Sequence, residues 1–465
     1  MKSLYSNVLK YYFYICVLIL SVMYVFISTD YTNNDIMVIV TFLINGAIIF
    51  FNISRSNKLG YSLNDMVWIF MLVFMFVAPF IQYTNNHFPW WDQSLLNDEI
   101  LLITNYYIMI FISIYTIVRY IVIKTHNEHQ RKSIKFGEIQ NIKLILNLSF
   151  FISIVVSVYI INNIGLINIF SRGTASMNLS QTEMLIVSKS LRAFPFITLL
   201  LHIMYKHKYG IIYNKFQFII ISILFLLTHF PTGLPRYQIA TVYIALLIVI
   251  FKEFKNKYIL KISILVGLLV VFPFMGMFRS IGIMLISNQV SLIPNPLEDF
   301  LKSDYDAYSM IARSLLYVEN EGITFGQQLL GAFLFFIPRS IWPEKPIGSG
   351  AMMAQEFNWP FTNVSCPFIG EAYLNFGIIG IVVFAVSLAI ILGKFDTIYQ
   401  HELKNTMNIS VLKIYYPVLI GFLFFLLRGD MLSSFAYMIG YFLPLAFLYF
   451  LDKIFISMKR PLVRK

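Results

Sequence analysis

The residues of this chain best placed to do chemistry are arginines set in or beside long apolar runs. Arg192 lies about eight residues inside the apolar run 184–204, close to mid-membrane depth for a spanning helix. Arg236 follows Pro231-Thr232-Gly233-Leu234-Pro235 at the mouth of the run 236–252, Arg279 ends the run 260–278, and Arg428 opens the triplet Arg428-Gly429-Asp430. An arginine near the bilayer centre costs about 2.5–3.5 kcal/mol on insertion scales, so one that stays there faces water, a partner or an anion. Planar guanidinium groups bind phosphate oxygens in bidentate fashion, each charge-assisted bond contributing about 1.5–3 kcal/mol. Arg192, Arg236 and Arg279 together read as a ring of guanidinium groups around an outward cavity, able to neutralise a diphosphate without a metal. For any single arginine a structural role weighs as much: Arg428 pairing with Asp430, or Arg339 touching lipid headgroups.

Two residues are candidates for moving a proton. Glu371, in Pro367-Phe368-Ile369-Gly370-Glu371-Ala372-Tyr373, has two readings of equal weight. One is a carboxylate stabilised by the dipole at a helix start; the other is a general base that deprotonates a hydroxyl. His229, beside Pro231 at the outer end of the run 216–230, is the second base candidate, with a hydrogen-bonded end-of-helix histidine as the preferred reading. Asp304-Tyr305-Asp306 spells a metal-holding Asp-x-Asp pattern, but on a helix neighbours two apart point away from each other. It reads as a solvated acidic face. Trp68, Trp90, Trp91, Trp342 and Trp359 read as interface anchors, with stacking on a sugar ring as the lesser alternative. There is no P-loop, dinucleotide fingerprint or nucleophile elbow. The two cysteines, Cys16 and Cys366, support neither a disulfide framework nor a zinc site. No cofactor and no metal is indicated.

The elements that must position these residues are membrane spans. Of 465 residues, 58% are hydrophobic and only 12% charged, about half the charged share of soluble domains. A soluble chain of this length would need more polar surface to cover its core. Apolar runs near 9–28, 36–53, 65–83, 100–122, 143–163, 184–204, 216–230, 236–252, 260–278, 373–393, 410–428 and 432–451 give about twelve spans, the seventh short and open to an irregular backbone. The first has no small-residue cleavage signal after it and reads as a span rather than a removed leader. The net charge of +12 would suggest a nucleic-acid partner in a soluble protein. Here the cations sit in short gaps between runs, so the partner is the bilayer and not nucleic acid. With both termini in the cytoplasm, the inner gaps hold 25 of the 35 basic residues and the short outer gaps hold three, Arg172, Arg236 and Arg428. That asymmetry fits one orientation across all spans.

The expected organisation is a nine-helix membrane region over 1–278, a large outward loop over 279–372, and a three-helix region over 373–465. Within the loop, Leu297, Phe300, Leu301, Tyr308, Ile311 and Leu315 recur at helical spacing with Asp299, Lys302, Asp306 and Arg313 between them. This predicts an amphipathic helix near 296–316, lying on the membrane or on the protein. Leu329–Ile337 is too short to span and suits an interfacial or re-entrant piece. Pro338, Pro343, Pro346, Gly348 and Gly350 then impose irregular backbone. The fold class is therefore all-α, polytopic, with amphipathic helices in a large outer loop.

Three segments resemble the Wzy-type bacterial polysaccharide polymerases, which join oligosaccharide repeat units. They are Pro231-Thr232-Gly233-Leu234-Pro235-Arg236-Tyr237-Gln238-Ile239-Ala240, Ile337-Pro338-Arg339-Ser340-Ile341-Trp342-Pro343-Glu344-Lys345-Pro346, and Gly370-Glu371-Ala372-Tyr373-Leu374-Asn375-Phe376-Gly377. Their order and the loop between them match the family as well. The resemblance implies a GT-C-like membrane enzyme at the outer face of the bacterial inner membrane. It would move a growing glycan from undecaprenyl diphosphate to a new lipid-linked repeat unit, with a chain-length regulator and a flippase as partners. It also implies roles for arginines of the larger outer loops: Arg172, Arg279, Arg313 and Arg339. The family's pattern of an arginine followed by ten residues and then a glycine is missing at Arg172 and Arg313. Rival readings are an O-antigen ligase, which shares donor and architecture, and a transporter of lipid-linked sugars. The second lacks the matched broken spans of internally repeated transporters.

Overall fold

The computed structural model describes residues 36–54, 61–129, 137–165, 169–170, 186–251, 254, 259–268, 296–405 and 408–459. Among them the chain is all-α, without a strand; Glu138 and Ser410 form an isolated bridge. The helices are α1 (Ile36–Ser54), α2 (Leu63–Thr84), α3 (Asp98–His129), α4 (Ile142–Ile164), α5 (Ala193–Tyr209), α6 (Lys215–Thr228) and α7 (Arg236–Ile250). They continue with α8 (Ile259–Val266), α9 (Ala307–Glu321), α10 (Gln327–Phe333), α11 (Ser349–Glu356), α12 (Phe368–Asn405), α13 (Val411–Arg428) and α14 (Met431–Lys459).

Seven of these, α1 to α4 and α12 to α14, are long and apolar enough to cross a membrane, and the chain is a multi-pass membrane protein. The runs 216–230 and 236–252 fold as the shorter apolar helices α6 and α7. The run 9–28 lies outside the described residues, and of 260–278 only the part through residue 268 lies inside them.

Two of the π-turns among the described residues have a cause in the sequence. In α2, Val73–Val77 widens into a π-turn just before Pro79; ahead of α5, Val187–Leu191 does the same just before Pro195. Proline lacks the N–H that would bond the carbonyl four residues back, and the ladder loosens there. The second turn places Arg192 at the junction with α5.

Two compact units divide the chain. The first comprises the described parts of Met1–Glu128, Lys257–Lys394 and Phe424–Ser434. The start of α2 is set by Ser62, whose hydroxyl accepts from the Asp65 amide and donates to the Asp65 carboxylate. Asp65 in turn pairs with Lys261 of α8 at 2.7 Å, both side chains buried. Gln82 donates to the carbonyls of Phe300 and Tyr305, and Tyr308 donates to Leu101 O and Asn105 Oδ1, fixing the segment that leads into α9.

The amphipathic helix expected near 296–316 is a correction in detail. A single turn at Pro296–Asp299 and a 3-10 turn at Ser303–Tyr305 precede the regular helix, which starts at Ala307. Ala307 to Leu315 are all buried, so α9 is a core helix of this unit rather than a surface float. α12 is broken at Phe376 and Gly377, whose backbone is non-helical. The break leaves the Leu374 carbonyl to accept from Thr324 N at 2.8 Å, while Asn375 Oδ1 accepts from Leu329 N in the first turn of α10. Irregular backbone at membrane depth is tolerated where protein groups answer it in this way.

The second unit comprises the described parts of His129–Asn256, Phe395–Leu423 and Phe435–Lys465. Its core is aliphatic and aromatic, with Ile145, Leu146, Phe196, Leu200, Ile221, Phe225, Val242 and Leu445 fully packed. α4 and α5 approach through small polar residues, Ser153 Oγ and Thr198 Oγ1 lying 2.9 Å apart. Such hydroxyl pairs join helices where lipid offers no other partner. Asp452 of α14 caps α4 by accepting from the Gln140 and Asn141 amides at 3.0 and 2.8 Å. Gly421 is held small by the Ala240 carbonyl, 2.7 Å from where its Cβ would be.

Candidate functional site

The second unit gathers a cationic, aromatic cluster. Arg192, at the head of α5, is 8% exposed, and its guanidinium lies within electrostatic reach of the Tyr441, Tyr437 and Tyr237 hydroxyls. Among the described residues no carboxylate pairs with it, and its Nε has no hydrogen-bond partner. One turn further along α5, Phe196 touches both the His229 ring and the Tyr441 ring, at 5.9 and 6.2 Å between centroids. Tyr237 at the start of α7 meets Tyr437 of α14 edge-on at 5.1 Å. His229 follows α6, fully buried and stacked on Phe225 at 5.1 Å. Arg236, in the half-buried first position of α7, adjoins Tyr237 in the chain.

Thr228 Oγ1 lies 2.8 Å from the Leu224 carbonyl and 3.0 Å from His229 Nδ1. The other ring nitrogen, Nε2, is buried with no hydrogen-bond partner. The Tyr441 hydroxyl is buried and unanswered as well. Native interiors leave few buried polar atoms without partners, and each such atom asks for water, an ion or a ligand. Three of them, on Arg192, His229 and Tyr441, belong to one cluster. Its make-up is a cation, tyrosine hydroxyls and one imidazole nitrogen without a protein partner, which suits an anion beside a polar group.

The first unit holds a different constellation. Arg313 of α9 is fully buried; its Nη2 and Nε donate to Asp92 at 2.7 and 2.9 Å, and Nη2 also donates to Pro89 O at 2.8 Å. The guanidinium sits over the Trp359 ring at 5.2 Å. Burial lowers the pKa of Arg313, against which Asp92 and Asp306 favour the charged form. Asp306 is buried, and it accepts from Arg428 Nη2 at 2.8 Å, Ser365 Oγ at 2.8 Å and Trp90 Nε1 at 3.0 Å. Glu371 is buried on the short first half of α12. Its Oε1 accepts from Met431 N at 2.8 Å and its Oε2 from Ser349 Oγ at 2.8 Å, so the carboxylate caps α14.

Of the arginines named from sequence, Arg192 and Arg236 thus lie in the second unit, and Arg313, Arg339 and Arg428 in the first. Arg339 is exposed and donates to the Lys345 and Pro346 carbonyls. Arg172 and Arg279 lie outside the described residues. Two local expectations change. Arg428 pairs with Asp306 rather than Asp430, and Asp306 belongs to a buried network rather than a solvated acidic face. Sequence reasoning passed over Tyr237, Tyr437, Tyr441 and Asp92. The spacing of Tyr437 and Tyr441, four apart on one face of an apolar helix, was the available signal.

Among the described residues no group of His, Cys, Asp and Glu is arranged to hold a metal ion. No family model, no curated protein and no solved structure matches this chain.

Proposed function

We propose that this chain is a glycosyltransferase of the bacterial inner membrane, joining undecaprenyl-diphosphate-linked oligosaccharide repeat units into a surface polysaccharide at the outward face. The observation that carries the reading is Arg192, a buried guanidinium in a membrane chain that no carboxylate among the described residues answers, set among tyrosine hydroxyls and an open imidazole nitrogen. An intramembrane ionisable group of this kind marks a site for a ligand or reaction by default. The resemblance of the Pro231–Ala240, Ile337–Pro346 and Gly370–Gly377 segments supplies the substrate class.

In the proposed reaction, a hydroxyl oxygen of the acceptor repeat bonds to the anomeric carbon of the donor as the bond from that carbon to the diphosphate breaks. His229 Nε2 takes the hydroxyl proton. The lipid diphosphate leaves with the bonding pair, and Arg192, with the neighbouring tyrosine hydroxyls, stabilises the charge that develops. Arg236, at the start of α7, is a further diphosphate contact in this scheme. The energy resides in the lipid diphosphate bond, so no nucleotide is needed. Glu371, both of whose oxygens are engaged, serves to hold the broken α12 to the start of α14. Both termini lie in the cytoplasm, and a flippase supplies the substrate.

The deciding experiment gives purified protein in nanodiscs only the lipid-linked repeat and follows chain growth on a gel. The wild type should build a ladder, and Arg192→Ala should extend chains roughly 10- to 100-fold more slowly while remaining folded and membrane-inserted. Full-length ladders from Arg192→Ala at the wild-type rate would remove this residue from the reaction. In cells, loss of the protein should leave single repeats on the surface; long chains stranded on the carrier would instead indicate a ligase. The break of α12 at Phe376 and Gly377 favours one second reading, a transporter of lipid-linked sugar. That reading predicts repeats trapped in the cytoplasmic leaflet and no ladder from purified protein.

A further inference from the structure

The first unit exposes two aromatic patches of different chemistry. One, around α10, shows Phe325, Phe336 and Ile341 beside Arg339 and Lys345, an aliphatic and cationic surface of the kind that meets lipid headgroups. The other is built from tryptophan. Trp90 stacks on Trp359 at 5.4 Å and on Phe361 at 6.3 Å, with interplanar angles of 24° and 22°. Trp91 lies 5.5 Å from Trp90 and meets Trp359 edge-on at 5.8 Å. Trp91 is 59% exposed and Phe361 46%.

Three features separate this patch from an interface anchor. First, it is rigid. Trp90 Nε1 donates to the buried Asp306, and Trp359 lies against the buried Arg313 guanidinium. Second, the backbone is held in an uncommon region. Trp90 has φ +81°. A bulky residue at positive φ is strained, and such strain is kept where a site requires it. Third, the exposed residues flanking the indoles in sequence include Asn85, Asn86, His87, Asn358, Thr362 and Asn363, amide, imidazole and hydroxyl groups without a fixed positive charge. Trp359 Nε1, in a buried residue, has no hydrogen-bond partner.

The exposed rings of Trp91 and Phe361, backed by the locked Trp90 and Trp359, present a face for the C–H side of a sugar ring, and carboxamides meet its hydroxyls. We propose that Trp90, Trp91, Trp359 and Phe361 form a carbohydrate-binding platform that holds an oligosaccharide by its sugar rings, apart from any lipid diphosphate. For the identity of the sugar this inference rests on the glycosyltransferase reading, which makes the ligand the glycan being extended.

The test uses the full-length protein in nanodiscs and, as probe, the lipid-free oligosaccharide released by mild acid from the surface polysaccharide of the producing cells. Tryptophan fluorescence should change saturably with probe. Trp91→Ala and Phe361→Ala, both at exposed positions, should each weaken binding at least tenfold without changing thermal stability, and Trp91→Phe should weaken it less. Arg192→Ala should leave the titration unchanged. A wild type whose fluorescence ignores the probe, or variants that bind as well as the wild type, would overturn the platform. So would quenching of Trp91 by brominated lipid, which would assign the patch to the bilayer. Loss of the ladder in the wild type with glycan binding intact would sink the polymerase reading and leave the platform standing. The reverse pattern would sink the platform alone.

Discussion

Arg313 in the first unit and Arg192 in the second are both buried arginines, and their surroundings are opposite. Arg313 has Asp92 on two of its nitrogens, a backbone carbonyl, and an indole face. Arg192 has tyrosine hydroxyls in electrostatic reach and no carboxylate among the described residues; each guanidinium leaves one nitrogen unanswered, Nε on Arg192 and Nη1 on Arg313, so the carboxylate is the difference. Desolvating a charge costs several kcal/mol, and only a well-made partner offsets that cost. Arg313 has its partner built into the fold, so its role ends with the fold. Arg192 is left uncompensated, a state that persists where something outside the chain completes it. Glu371 and His229 repeat the contrast: both oxygens of one are engaged, and one nitrogen of the other is open.

The largest effect expected from this contrast is on stability. Arg313→Ala should cost about 3–5 kcal/mol, because it strands the Asp92 carboxylate and removes the support beneath Trp359. A large drop in the thermal midpoint of the purified protein is the readout. A midpoint within a degree or two of wild type would mean that the pair contributes nothing, and the contrast with Arg192 would lose its first half.

Arg192→Met should have the opposite signature. Removing an uncompensated buried charge leaves the thermal midpoint unchanged or raises it, in the way active-site residues trade stability for activity. Chain extension should fall roughly 10- to 100-fold, the range set by losing about 1.5–3 kcal/mol of charge-assisted binding. If Arg192→Met destabilises as strongly as Arg313→Ala, then a partner inside the fold answers both arginines and the distinction fails.

A smaller effect separates the two proton-transfer candidates. Glu371→Gln keeps an acceptor for the Met431 amide and loses only the acceptor for Ser349, so it should cost about 1 kcal/mol and leave chain extension near wild type. His229→Gln should abolish extension with little change in stability. Loss of extension in Glu371→Gln at full stability would move the base to Glu371 and reverse the assignment of the two units.

How much of this was legible in the sequence follows from which physics each feature obeys. Membrane helices are one-dimensional: an apolar run of sufficient length declares itself, and α1 to α4 and α12 to α14 stand where the hydropathy placed them. Arg192 was legible because a charge in such a run is rare. Asp306 was not. Its local pattern, Asp304-Tyr305-Asp306 among polar neighbours, looks solvated. Only the meeting of Arg428, Ser365 and Trp90, more than fifty residues away in every case, buries it. α9 misled for a related reason. Its alternation of apolar and charged residues is that of a surface helix, yet its polar side finds partners inside the unit, Arg313 with Asp92 and Tyr308 with Asn105. Pairing is a three-dimensional property, and helical spacing carries no signal of it. The π-turn before Arg192 was in reach, since Pro195 alone requires a carbonyl to go unbonded there.

The smallest expected effect sharpens the closed character of the first unit. Cys366 lies just ahead of α12, fully buried, and burial raises its pKa well above the usual thiol range; Glu371, Asp430 and Asp306 act in the same direction. A raised thiol pKa means that the folded state favours the protonated form. This contributes stability below the unfolded thiol's pKa, about 8.5, and that contribution fades as the pH climbs beyond it. In a Cys16→Ser background the folded protein should therefore show essentially no reaction with a thiol reagent from pH 7 to 9, and one full equivalent once denatured. Rapid labelling of the folded protein at pH 7 would mean that the network around Asp306 and Glu371 opens readily. Its satisfied hydrogen bonds would then describe one state of a moving site, and the first unit would become as plausible a place for chemistry as the second.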